Sequence, residues 1–256
     1  MKRATLAGVL AVILSTQWPT TVFAAHPLFT EDTGTQGAGN FQLELTHDLS
    51  TDERAGTKTR TQSINSVFSA GLTDNLDFII TLPHERLTEE TAVTKTTIKG
   101  YADIEIAAKW RFYEEGALSF ALRPGLGLPS GNEDKGLSSG HLSPSFFAVS
   151  SYDMDPWVFH MHVGYAPILD PGLDEHSHIY HASVGAEYSL SEWLRVVSDL
   201  SVERNADRSG HPNVGSMVIG LVVSLAPNLD FDLGYRKGLT DPAADHNWLM
   251  GLAFRF

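Results

Sequence analysis

The side chains that could bind a metal or move a proton gather in a few places. Imidazoles stand at His160 and His162, and again at His176, His178 and His181. Alternate spacing on an extended chain puts His160 and His162 on one face, and neighbouring imidazoles can ligate Zn or Cu. Antiparallel pairing around the intervening loop, however, places His181 a few residues farther out than His162, and no carboxylate stands ready to orient a ligating ring. Polar lining is the simpler use, and no metal is expected. Ser138 and Ser139 lie beside His141, but acyl transfer needs a nucleophile, a base and an orienting group that converge in space. Asn132-Glu133-Asp134 lacks the alternating oxygen ligands and closing Glu of a Ca²⁺ loop. Gly37-Ala38-Gly39 has neither the strand before it nor the helix after it that a nucleotide site requires. No catalytic residue and no cofactor is expected.

A larger set of charged side chains shares one property: each falls on the polar face of an alternating stretch. It comprises Glu44, Asp103, Glu105, Lys109, Arg111, Arg123, Glu187, Arg236 and Arg255, joined by His160, His162 and His181. Lining a tube, such charges would bias passage toward neutral or cationic solutes, or would pair across the wall and stiffen it.

The elements that must carry these residues follow from composition and period. The chain has 256 residues, is 42% hydrophobic, and sets 18 Lys+Arg against 31 Asp+Glu for a net charge of −13. That balance excludes a nucleic-acid partner, which needs clustered cations. The absence of cysteine excludes disulfides, thiolate metal sites and lipoprotein acylation. Past the first residues no apolar run is long enough for a membrane helix. What recurs instead is period two. Leu76, Phe78, Ile80 and Leu82 interleave with Asp77, Ile79, Thr81 and Pro83; Ile104, Ile106, Ala108, Trp110 and Phe112 interleave with Glu105, Ala107, Lys109 and Arg111. The alternating stretches exceed the usual globular strand and match a tilted bilayer crossing.

Strands are expected at 40–50, 60–72, 76–87, 99–113, 117–128, 142–152, 156–168, 178–190, 193–204, 213–226, 229–237 and 246–256. Facing is hardest to read in 193–204, where Leu194, Val196 and Val197 break the alternation. Connections alternate between short ones, near 73–75, 114–116, 153–155, 191–192 and 227–228, and long polar ones, near 51–58, 88–95, 130–140, 170–177, 205–211 and 240–245. An even strand number with short periplasmic turns and long outer loops predicts an all-β protein, a twelve-stranded antiparallel transmembrane β-barrel of the bacterial outer membrane, over 40–256. Trp110, Phe112, Tyr152, Trp157, Tyr188 and Trp193 flank the short turns and would form an interfacial girdle. The last strand alternates outward through Trp248 and Phe254 to a terminal Phe256, the pattern of an assembly signal read by the barrel assembly machinery.

Two segments precede the barrel. Lys2 and Arg3, an apolar stretch to Ser15 and small residues around Val22-Phe23-Ala24 predict a secretory signal peptide over 1–24. Between it and the first strand, 25–39 is Gly-punctuated, with Leu28 and Phe29 as its strong apolar pair. It would either hang as a periplasmic tether or fold into the periplasmic mouth as a plug.

Several stretches carry a family resemblance: His26-Pro27-Leu28 through Glu31-Asp32-Thr33-Gly34-Thr35-Gln36-Gly37 into Phe41-Gln42-Leu43-Glu44; Gly100-Tyr101-Ala102-Asp103-Ile104-Glu105 with Lys109-Trp110-Arg111-Phe112; Leu128-Pro129-Ser130-Gly131-Asn132-Glu133-Asp134-Lys135-Gly136-Leu137; and Ser183-Val184-Gly185-Ala186-Glu187-Tyr188. The chain resembles the family of outer-membrane proteins named for the MetA pathway of phenol degradation, often described as transporters. The resemblance implies a channel-like barrel that passively admits or releases small solutes, aromatic or apolar ones among them. Two other readings stay open: a structural or surface-interaction barrel, and a lipid-modifying outer-membrane enzyme. Expected partners are outer-membrane lipid and lipopolysaccharide, the assembly machinery and an unidentified small solute.

Overall fold

The computed structural model describes residues 26–54 and 56–256; the expected signal peptide lies outside them. Every strand is antiparallel to its neighbours. They are β1 (Phe41–Arg54), β2 (Thr57–Thr73), β3 (Leu76–Glu90), β4 (Lys95–Tyr101), β5 (Ile104–Glu115), β6 (Leu118–Leu128), β7 (Ser143–Met154), β8 (Trp157–Pro167), β9 (His178–Ser191), β10 (Leu194–Arg204), β11 (Asn213–Ala226), β12 (Leu229–Gly238) and β13 (His246–Arg255). Each pairs with the next in sequence except β4 and β5, which both pair with β3, and β1 pairs with β13, so the sheet closes on itself. Closure through β1–β13 pairs the strands around the wall, the condition for a sheet in hydrocarbon, while the short β4 pairs with β3 alone.

The expected twelve-strand barrel is the fold, with one refinement. The strand foreseen over 99–113 is broken at Ala102–Asp103 into β4 and β5, which pair with the outer and inner halves of β3 respectively. Together they make one wall position. Two of the six expected long loops are also absent. Strand β1 runs on to Arg54 and β2 starts at Thr57, its partner across the pair, and β3 and β4 run on to Thr91–Thr94. The reason is local: Thr57, Thr59, Thr61, Thr88, Thr96 and Thr97 are β-branched strand formers inside polar sequence. The polarity that suggests loops belongs to strands standing clear of the membrane.

Alternation sorts the side chains as expected. Leu45, Phe78, Leu122, Phe159, Val184, Ile219 and Leu252 are exposed on the outside, where lipid would cover them. In β10 the facing is settled by packing: Val197 points inward with Arg195 and Asp199, and it clusters with Leu28 and Val222. Trp110, Phe112, Tyr152, Trp157 and Trp193 are exposed near the short-turn end, and Tyr188 packs 4.6 Å from Trp157. A second aromatic level lies toward the opposite end, in Tyr165–Tyr180 and Tyr235–Trp248 at 5.6 and 5.1 Å. Trp248, Phe254 and Phe256 all face outward, and Phe256 stacks on Phe254 and on Phe41 across the β1–β13 closure.

Candidate functional site

Residues 26–40 do not hang free of the barrel; they cross its interior. Such a segment has no strand partners, so wall side chains must satisfy its backbone. Asp199 accepts from Thr30 N at 2.7 Å, Ser151 Oγ from Thr33 N at 3.1 Å, and both Asp77 carboxylate oxygens from Gln36 N at 3.0 and 2.9 Å. Thr30 Oγ1 donates to Ser183 and Asp199, and Thr35 Oγ1 to the Asp74 carbonyl. The wall makes room with inward glycines. Pro27 is fully buried, and a Cβ on Gly220 or Gly234 would stand 2.8 or 2.7 Å from its ring. Gly185 lies under Leu28 and Thr30. Leu28 is buried against Val197 and Val222. Phe29 is half-exposed, 4.8 Å from the His181 ring and 5.5 Å from the Arg236 guanidinium.

Ion pairs fix the segment at two points. Glu31 bridges Lys109 Nζ at 3.1 Å and Arg123 Nε at 2.9 Å. Arg123 also holds Glu105 through its two terminal guanidinium nitrogens, at 3.0 and 3.2 Å, a bidentate geometry suited to the planar fork. Burial alone would raise the Glu31 carboxyl, but Arg123 and Lys109 overcome it and hold the group down at about 2. At the segment's start, His26 lies between Asp232, 2.5 Å from Nδ1, and Asp48, 3.2 Å from Nε2. Burial works against its charge; hydrogen bonds to the two carboxylates outweigh burial and push the imidazole up to about 9.

The remaining wall charges form a chain on the far side of the segment. His160 bonds Ser151 and Glu187 at 2.8 and 3.2 Å; Glu187 and Asp230 flank Arg195 at 3.6 and 3.7 Å; Asp230 and Gln42 receive Arg255 at 2.7 and 3.0 Å. Gln42 donates to Glu44. Arg111 sits at the short-turn rim on Glu114, 3.2 Å away, and Arg236 lies 3.9 Å from Asp48. Asp103 is a correction. It does not line the lumen: the strand break puts it beneath the outer loop, where it accepts from Gly131 N, Ser139 N and Ser139 Oγ at 3.0, 2.9 and 3.1 Å.

The histidines divide. His160 belongs to the polar chain, while His162 and His181 pair at 5.0 Å between Phe147 and Phe29. Among the described residues no three potential ligands converge as a metal site. The run Gly136-Leu137-Ser138-Ser139-Gly140 has the Gly-x-Ser-x-Gly spacing of a nucleophile elbow, but it lies in a loop and not at a strand-to-helix turn. Ser138, which holds the nucleophile position of that spacing, accepts from Gly140 N at 3.1 Å, and its neighbour Ser139 is engaged by Asp103 and donates to the backbone carbonyl of His141, not to its ring.

Three spaces surround the segment. A cavity of about 610 Å³ opens at the long-loop end, walled by Leu142, Pro144, Phe147, Pro167 and Leu169 together with Glu105, Arg123 and His141. A smaller one of about 210 Å³ stands over Phe29, His181 and Arg236. A third, about 150 Å³, lies between the segment and the β1–β3 wall, lined by Glu31, Asp32, Glu44, Asp77, Lys109 and Arg123. Arg123 lines both the first and the third, so the Arg123–Glu31 pair divides them.

The sequence reading missed Asp77, Asp199, Asp230, Asp232 and the glycine seats. Their signal was present: acids at inward positions of strands, and glycines at inward positions 185, 220, 234 and 251. In isolation a strand glycine reads only as a weak spot.

Comparison with known proteins agrees with this architecture. Residues 30–256 match the family described as "Putative MetA-pathway of phenol degradation". Among solved structures, the COG4313 outer membrane channel from Pseudomonas putida F1 is similar at TM-score 0.70 and 13% identity, covering 88% of this chain and 98% of that one. The translocator domain of autotransporter NalP from Neisseria meningitidis is similar at TM-score 0.55 and 16% identity, covering 86% and 89%. The KdgM porin in complex with disordered oligogalacturonate is similar at TM-score 0.56 and 10% identity, covering 84% and 99%. At these identities the likeness is one of fold. No curated protein matches the chain.

Proposed function

The chain belongs to the family described as "Putative MetA-pathway of phenol degradation", and we propose that it is a passive outer-membrane channel for small solutes with apolar or aromatic faces, narrowed from within by residues 26–39. The observation that carries this reading is the pair of cavities that meet at Arg123. The outer one has the size of a small-molecule site and a mixed lining of apolar side chains and a few charges. The inner one leads along the segment toward the short-turn end. Where they meet, Arg123 is held to Glu31 by an ion pair, and a side-chain pair can part without unfolding the wall.

Charge sets the preference. The inner space presents Glu31, Asp32, Glu44 and Asp77 against Lys109 and Arg123, an acidic excess in a constricted path. Such a lining favours neutral and cationic solutes over anions. The similar channel and porin folds fit a conduit better than a catalyst. Ser151, His160 and Glu187 do stand in line as hydroxyl, imidazole and carboxylate, but all three are buried, Ser151 Oγ also accepts from Thr33 N of the crossing segment, and none of them lines the three cavities.

The reading is tested by flux into liposomes carrying the reconstituted barrel. Benzylammonium should enter faster than benzenesulfonate, a ring of similar size with the opposite charge, and both faster than a disaccharide. Flux no greater than through protein-free liposomes would refute the channel; equal rates for the two ions would refute the charge preference.

A further inference from the structure

The extended ends of β1–β4 carry a cationic outer face. Pairing sets out its rows. Ile64, His84 and Tyr101 form the lowest, with the His84 and Tyr101 rings 5.2 Å apart on the lipid-facing side. Above it come Gln62–Arg86–Lys99, then Arg60–Thr88–Thr97, then Lys58–Glu90–Lys95. Alternation keeps these rows on the outward face, while Glu85 and Glu89 of the same strands point inward. The outward face therefore holds Lys58, Arg60, Arg86, Lys95 and Lys99 against Glu90 and, on β1, Glu53. Within the patch Lys95 pairs with Glu90 at 3.0 Å. In a chain of net charge −13 this concentration is not the general surface.

Its position matters as much as its charge. Neighbouring strands lie about 4.8 Å apart, so these cations and the Thr88–Thr97 hydroxyl pair fall within reach of one compact polyanion. Immediately below, Ile64, Leu82 and Tyr101 are exposed and apolar. A ligand for this face needs anionic groups joined directly to apolar chains. This end bears the long loops and lies away from Phe256, which assigns it to the outer leaflet. We infer that the outward face of β2–β4 is a docking site for the phosphorylated headgroup of lipid A. Arg60, Arg86 and Lys99 bind its phosphates, Lys58 closes the upper edge, and acyl chains lie along Ile64, Leu82 and Tyr101. The inference rests on the outer-membrane placement of the barrel and not on conduction.

The test uses the full barrel in mixed micelles with diphosphoryl lipid A, monophosphoryl lipid A or phosphatidylglycerol, with bound lipid read by native mass spectrometry. Wild type should prefer them in that order, with binding weakened by salt. The variant Lys58→Gln/Arg60→Gln/Arg86→Gln/Lys99→Gln should bind diphosphoryl lipid A about tenfold more weakly or worse, as expected for losing one or more charge-assisted contacts. Lys135→Gln/Arg208→Gln, which neutralises loop cations elsewhere, should bind as wild type. Lys58→Arg/Lys99→Arg should retain binding, and heat-modifiable gel migration verifies that each barrel is folded. Undiminished binding in the quadruple variant, or preference for phosphatidylglycerol, would overturn the site. Solute flux is measured in parallel, so loss of either property is seen separately.

Discussion

At the residue scale, the interior is a set of partnerships made by residues 26–36, and His26 is the one that responds to pH in an accessible range. Its imidazole is raised to about 9 by Asp232 and Asp48 against the cost of burial. A raised pKa contributes docking strength that is complete below the ordinary histidine value and is lost as pH climbs through the raised one. Neutral His26 would no longer balance the charges of Asp48 and Asp232, and Arg236 lies 3.9 Å from Asp48. Conductance should therefore rise as pH passes about 9, and in His26→Ala the step should vanish with conductance already high at neutral pH; a pH titration of single-channel current checks both. Gly234→Val tests the seat of Pro27. Its Cβ would stand 2.7 Å from the proline ring, and valine suits a strand. The barrel should fold while the segment is displaced, read as faster proteolysis near residue 30; a protected segment would mean the glycine seat does not hold it. Little of this was legible in sequence. Leu28 and Phe29 stand out as apolar, but their partners Val197, Gly185 and His181 lie more than 150 residues away, and no local pattern links them. Asp103 was misread because the alternation it begins, with Glu105, Lys109 and Arg111, runs straight across a strand break.

At the element scale, period two carried nearly all of the information. One face of each strand meets hydrocarbon and the other meets a polar interior, so strand type and facing are written in the residues themselves. Ile106 shows the consequence: it pairs outward with Ile80 and Leu126, while Glu105 turns inward to Arg123. Ile106→Arg should destabilise the barrel by ~2–4 kcal/mol near the midplane. Glu105→Gln, which keeps a hydrogen-bonding side chain beside Arg123 and leaves Arg123 paired with Glu31, should cost less, about 1 kcal/mol. Reversible unfolding in bilayers measures both, and equal costs would mean the facing is wrong. Strand ends were less legible, because threonine-rich polar sequence serves a loop or an exposed strand equally well. Residues 51–54, 57–58 and 88–90 show that ambiguity resolving to strand. The alternation in β10 failed for a related reason: Val197 faces inward because the crossing segment supplies an apolar partner inside an otherwise polar lumen.

At the scale of the whole molecule, a closed wall of paired strands surrounds a segment held by side chains. The wall depends on backbone hydrogen bonds between neighbours and the segment on glycine seats and the Glu31 and His26 ion pairs, so the two can separate. Orientation follows from the connections: single cysteines placed at Asn132 and Ala243 should label in intact cells, and one at Glu115 should not, in a chain otherwise free of cysteine. The reverse pattern would invert the barrel and move the cationic face of β2–β4 to the wrong leaflet. The central claim is that residues 26–39 narrow a conduit. Its most direct test is single-channel conductance in planar bilayers of the wild-type barrel and of a variant lacking Pro27 to Thr33. The deletion should leave a folded barrel and raise conductance several-fold, by opening the path beside Arg123 that the segment narrows. A folded deletion variant whose conductance equals that of wild type would contradict it.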